Sequence, residues 1–244
     1  MRKSKQIDSF TFLRAISIIA ISIFHSAVHF LPGGFMSVIS FFVLSGFLMM
    51  KNLDNRKENN TDTPLFNIKK RLKKLLPSLY FVVTVSLIAA LIFSKIIFHD
   101  SIKSSLPVIF SFQNLYQILK GGSYFTKNGY FSIFTHFWYI SMQVQFILIF
   151  YLINYLLDKF EVKNIKKIVF SLISIASFAV MIVLSFNENN ISRIYYGPDA
   201  RINAIFVGAL TYLIVDNFYK IKDFLNKKEI PEKYFLYALL FLTI

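Results

Sequence analysis

Apolar runs close to bilayer-crossing length, separated by clusters of lysine and arginine, constrain this chain more than any other feature. About 18 to 20 apolar helical residues cover the hydrocarbon core, where each backbone polar group must find its partner within the segment. Six spans are expected, at roughly 10–30, 35–50, 76–98, 133–157, 168–186 and 202–217, with a seventh starting near Tyr234 and cut off at Ile244. The expected fold is all-α and integral to the membrane: a polytopic helical bundle in one domain, 1–244, incomplete at its C-terminus. A composition of 55% hydrophobic and 18% aromatic residues agrees with that class. With no cysteine, the chain has no disulfide framework and no thiol nucleophile.

The placement of charge sets an orientation. With the N-terminus in the cytoplasm, 20 of the 27 lysines and arginines fall on inner segments. That asymmetry accounts for the net charge of +14 without a nucleic-acid partner. Met-Arg-Lys-Ser-Lys resembles the start of a signal peptide, but the run after it is long, lacks a small-residue cleavage site and contains Arg14. It reads as a retained first helix. Asn52 to Pro64 reads as a mobile cytoplasmic loop, and Phe66 to Leu76 as a basic amphipathic helix on the inner surface, with Pro77 near the start of the third span. The segment from His99 to Ser132, with turns at Gly121-Gly122 and Asn128-Gly129, has room for a short interfacial helix. Gly33-Gly34 and the small residues after them suit a tight hairpin between the first two spans.

Arg14 and His25 are eleven positions apart, close to three helical turns. Both therefore leave one face, about 16 Å apart along the axis. Ionisable groups are rare in apolar helices, and they commonly face a protein interior or a wet cavity. A lone histidine near a helix end is more often a satisfied structural group, and snorkelling lowers the cost of Arg14. Sharing a face moves the balance toward function. Imidazole suits removal of a hydroxyl proton, and guanidinium suits a phosphate or polarised carbonyl oxygen. Together they describe group transfer better than ion transport. His29, one turn on, is expected at the outer surface and carries no assignment.

Three further stretches stand out. The basic run containing Lys70, Arg71 and Lys74 is what positive-inside topology selects anyway, and it would also hold a phosphate-rich ligand at the inner surface. In the stretch from His136 to Gln145, Trp138 and Tyr139 fit an aromatic belt, whereas His136 is less easily dismissed and Gln145 lies deep enough to need a partner. In the stretch from Arg193 to Arg201, Asp199 and Arg201 read either as an interfacial pair or as lining of the cavity near His25.

Taken together and in this order, these stretches resemble the acyltransferase 3 family of integral membrane acyltransferases, in particular the membrane domain of Gram-positive peptidoglycan O-acetyltransferases. Arg14 and His25 match the family's arginine-to-histidine spacing, and Gly33-Gly34-Phe35 with Phe41 to Leu48 matches its second-helix motif. Lys70 to Pro77, His136-Phe137-Trp138 through Gln145, and Tyr196-Gly197-Pro198-Asp199-Ala200-Arg201 match three more. Ser37-Val38-Ile39 stands where relatives often have Gly-Val-Asp, Thr11 replaces an aspartate, and Gln143-Val144 replace paired glutamates.

The resemblance implies about ten helices in a complete domain. It also implies acyl-CoA, expected to be acetyl-CoA, as cytoplasmic donor, and a cell-wall glycan hydroxyl outside as acceptor. Arg14 would hold the donor phosphate or thioester oxygen, with Lys70, Arg71 and Lys74 at the donor side. His25 would serve as base or acyl relay. His136, Trp138, Gln145, Tyr196, Asp199 and Arg201 would shape the acceptor cavity. Neither a bound cofactor nor a metal is assigned. Some relatives append an extracellular esterase-like domain, none is expected within residues 1–244, and a separate extracellular esterase-like transferase stands among the expected partners, beside the lipid bilayer. A transporter or flippase for a lipid-linked glycan is the alternative, as is a catalytically silent partner of another transferase. The expected setting is the cell membrane of a Gram-positive bacterium.

Overall fold

The computed structural model describes residues 2–26, 30–57, 63–120, 132–160, 165–187 and 190–225. His29, the turns at Gly121-Gly122 and Asn128-Gly129, and the start of a seventh span at Tyr234 lie outside them. The described residues form α-helices and short 3-10 turns, without strands. The helices are α1 (Arg2–Ser26), α2 (Ser37–Lys57), α3 (Pro64–Phe93), α4 (Lys95–Ile109), α5 (Gln113–Leu119), α6 (Trp138–Leu157), α7 (Ile165–Ser185), α8 (Ile191–Tyr196), α9 (Pro198–Arg201) and α10 (Asn203–Leu225). Among the described residues, six segments are long and apolar enough to cross a membrane: Ser9–Ser26, Gly34–Asn55, Pro64–Phe93, Thr135–Leu157, Ile165–Ser185 and Pro198–Asp216. The chain is a multi-pass membrane protein.

Two compact units divide the chain, one of residues 1–55 and 204–244, the other of residues 56–203. In the first, α1 buries Phe10, Leu13, Ser17 and Phe24 along one stripe. Phe10 meets Phe47 of α2 edge-on at 5.3 Å, and Phe24 meets Phe35 at the same distance. The tight hairpin rests on Gly34 alone. A methyl group there would press on the Ala20 carbonyl and the Phe24 side chain, whereas one at Gly33 would meet open space. The small residues of the second span serve another partner. Gly46 lies against the Ile205 backbone and Gly208 of α10 against the Val43 carbonyl, so two glycines let α2 and α10 approach backbone to backbone. Phe47 then packs edge-on to Tyr212 at 5.4 Å.

The second unit builds α3 to α9 around α6. Leu79, Val83, Val108 and Phe134 form one buried cluster among α3, α4 and the turn before α6. Here the basic segment departs from expectation. Phe66 to Leu76 is not a separate surface helix but the first part of α3, which starts at Pro64 and runs through Pro77. Thr63 caps it, its hydroxyl accepting from the Phe66 amide at 3.3 Å, and proline is suited to the first helical position. Pro77 only removes its own N–H bond within a helix otherwise long enough to continue.

The expected loop at Asn52 to Pro64 is also shorter, because α2 remains helical to Lys57. The third span ends at Phe93 rather than 98, since Ser94 takes an extended conformation. Its hydroxyl caps α4 by accepting from the Ile97 amide at 3.4 Å. The segment from His99 to Ser132 holds the rest of α4 and all of α5.

Candidate functional site

In the first unit, Arg14 and His25 are both exposed on α1, on the flank of its packing stripe. Eleven residues of helix leave them about 20° apart around the axis. The His25 ring meets Phe24 edge-on at 5.2 Å. A groove of about 520 Å³ lined by Ser22, Ile23, Ser26, Phe30 and Leu31 opens near the end of the same helix, but His25 does not line it.

In the second unit, the start of α6 meets the stretch from Arg193 to Arg201. His136 sits exposed in the 3-10 turn Thr135–Phe137. Trp138, expected in an aromatic belt, is instead 4% exposed. Its ring lies 4.6 Å from Tyr195 and 5.8 Å from Tyr196, because α8 turns two consecutive tyrosines inward. Burying three aromatic rings gains more than leaving Trp138 at an interface, since aromatic pairs add stability beyond their area.

Beneath that cluster, Gln145 finds its partners on α5 and the turn before it. Gln145 Nε2 donates to Asn114 Oδ1 at 2.9 Å and to the Ser111 carbonyl at 2.8 Å, while Asn114 Nδ2 donates to Gln145 Oε1 at 3.3 Å. Asn114 Nδ2 also donates to the Tyr196 carbonyl at 3.2 Å. Two side-chain amides thus join α5, α6 and α8. Ser111, held by Gln145, has φ of 61°, the sole positive value at a non-glycine among the described residues. The backbone N–H of the neighbouring Gln113 donates to Ser141 Oγ at 3.1 Å.

The Asp199–Arg201 pairing is not formed. Asp199 binds Arg193 in a two-pronged ion pair, with Nη1 and Nη2 donating to the two carboxylate oxygens at 2.6 and 2.5 Å. The hydrogen bonds and charge of Asp199 hold Arg193 above the ordinary guanidinium range despite partial burial. The pair closes over Gly197, where a side chain would strike the Arg193 guanidinium and Asp199 Oδ1. Arg201 lies on the other side, 8% exposed. Its Nε donates to the Ile194 carbonyl at 3.2 Å, and its guanidinium carbon stands 5.3 Å from the Tyr195 ring centre. Ser177 of α7 fixes the same turn by donating to the Asp199 carbonyl at 2.6 Å.

The basic run divides by face. Lys70 and Lys74 are exposed, while Arg71 turns inward and donates from Nε to the buried Tyr151 hydroxyl at 2.9 Å. Among the described residues no three His, Asp or Glu side chains gather as a metal site. Sequence reasoning missed Asn114, Tyr151, Tyr195 and the Arg193–Asp199 pair. Tandem amides at Gln113-Asn114 in a semi-apolar segment were a usable signal for the first.

A multi-pass helical membrane protein that ties a His-Phe-Trp helix start to a Tyr-Gly-Pro-Asp-Ala-Arg turn is the class defined by this fold and site. The chain belongs to the acyltransferase 3 family, whose model, described as an acyltransferase domain, matches residues 7–243. It is 33% identical over 219 residues to the O-acetyltransferase OatA of Staphylococcus aureus, covering 88% of this chain and 36% of that protein. It is 30% identical over 200 residues to the peptidoglycan O-acetyltransferase OatA of Listeria monocytogenes, covering 81% and 32%. The chain thus spans about a third of the length of these relatives. No solved structure matches it.

Proposed function

We propose that this chain is the membrane part of an O-acyltransferase that moves an acetyl group from cytoplasmic acetyl-CoA to a hydroxyl of a cell-wall glycan outside. The observation that carries the reading is the shared exposed face of Arg14 and His25 on α1, in a chain of this family. The likeness to OatA proteins supports acetyl as the group and peptidoglycan as the acceptor.

In the first unit Arg14 holds the donor through a phosphate or the thioester oxygen; in the second, Lys70, Arg71 and Lys74 are the donor-binding residues, at the cytoplasmic side. A guanidinium suits oxyanions because its donors form a planar fork. His25 takes the proton of the acceptor hydroxyl as the oxygen attacks the thioester carbon. The C–O bond forms, the C–S bond breaks, and the imidazolium returns the proton to the departing thiolate. His136, Trp138, Gln145, Tyr196, Asp199 and Arg201 shape the acceptor side.

Replacing His25 with alanine in the full-length protein is expected to abolish glycan acetylation, measured by mass spectrometry of wall fragments, at unchanged protein level in the membrane. Near-normal acetylation would remove His25 from the chemistry. Acetyl-CoA consumption separates an enzyme from a transporter, since only the enzyme consumes it.

A further inference from the structure

Arg201 is a buried cation without a carboxylate partner among the described residues. Asp199, two positions earlier, is the nearest acid in sequence, and both of its oxygens are held by Arg193. Among the described residues no carboxylate pairs with Arg201. Its guanidinium spends one donor on the Ile194 carbonyl and rests against Tyr195. Among the described residues, the sealed polar side-chain atoms without partners are the Gln113 side-chain amide and Asn154 Oδ1, and the Arg201 Nη atoms are not among them.

A desolvated charge is costly to keep unless something pairs with it. The Arg193–Asp199 pair, closed over Gly197, engages both carboxylate oxygens. Asp199 and Arg201 stand two positions apart on a helical turn and so face different sides, which leaves Arg201 as a planar fork that no carboxylate among the described residues fills. Such a fork matches two oxygens of a phosphate or a carboxylate.

We propose that Arg201 is an anion seat, taking a phosphate or carboxylate group of the acceptor. Calling the anion part of the acceptor rests on the acyl-transfer reading; the seat itself does not.

Trp138 offers a local readout, because it packs on the same Tyr195 ring that carries Arg201. The test uses purified full-length protein in detergent, with exposed Lys70 and Lys74 changed to Gln to remove the main competing anion site. Inorganic pyrophosphate or acetate is titrated while tryptophan fluorescence is followed, and the Trp138 signal is identified by its loss in Trp138→Phe. A saturable change is expected. It should be lost in Arg201→Gln and weakened roughly tenfold in Arg201→Lys, which keeps the charge but not the fork. Arg201→Lys decides the matter if Arg201→Gln does not fold.

A response to pyrophosphate alone assigns the seat to a phosphate group, and a response to acetate assigns it to a carboxylate. Either Arg201 variant responding like the parent, or a parent indifferent to both anions, would overturn the proposal. No acyl transfer is read in this experiment, so its failure and the failure of the His25 test are separable.

Discussion

At the scale of residues, the amide pair of Asn114 and Gln145 is where a single change should be felt most. Replacing Gln145 with leucine strands the Ser111 carbonyl and half of the Asn114 amide. Unsatisfied buried groups cost about 1–3 kcal/mol, although hydrogen bonds between membrane helices average nearer about 0.6. A loss of about 1–2 kcal/mol is expected for Gln145→Leu, read as a lower thermal midpoint in detergent. Adding Asn114→Leu should cost less than the sum of the two single changes, because the second removes a group already stranded. Equal and additive losses would mean that the two amides do not act as a pair. That Gln145 needed a partner was legible in the sequence, since an amide deep in an apolar run must be satisfied. Which partner it has was not, because Asn114 lies on another helix and no local period connects them. The same holds for Asp199, whose choice of Arg193 over Arg201 depends on the turn at Gly197-Pro198.

At the scale of elements, the close approach of α2 and α10 depends on two positions lacking a side chain. Gly46→Ala or Gly208→Ala would push a methyl group into the opposing backbone, which cannot yield as a flexible side-chain tip can. Overpacking commonly costs about 1–3 kcal/mol, so both variants should show lower folded yield and a lower thermal midpoint. Gly33→Ala should be nearly silent, because space is open there. A silent Gly46→Ala with a harmful Gly33→Ala would reverse the assignment. Span positions were legible because hydropathy registers burial in lipid directly. The boundary within α3 was not. Five charges before Pro77 look like a surface helix, yet lysine stems can lie along an apolar helix while their heads reach water. Thr63-Pro64, a cap followed by a first-turn proline, marks the true start and was readable.

At the scale of the whole molecule, the expected orientation puts Lys159 in the cytoplasm and Asn187 outside. Residues 1–244 contain no cysteine, so a single introduced one is the sole thiol within them, and the protein without it sets the background. On intact cells an impermeant maleimide should label Asn187→Cys and spare Lys159→Cys until the cells are opened; the reverse pattern would invert the topology and exchange the donor and acceptor sides. Family membership was legible because five stretches recur in order, a condition that chance rarely meets. The meeting of Gln145 with Tyr196 through Asn114 could be seen only in three dimensions.

The glycine contact between α2 and α10 also has a consequence for how the protein is made. Gly46 leaves the ribosome about 160 residues before its partner Ile205, so the opening hairpin waits in the bilayer while the intervening spans are inserted. A nascent chain released before Ile205 would keep that groove uncovered and be a ready target for membrane quality control.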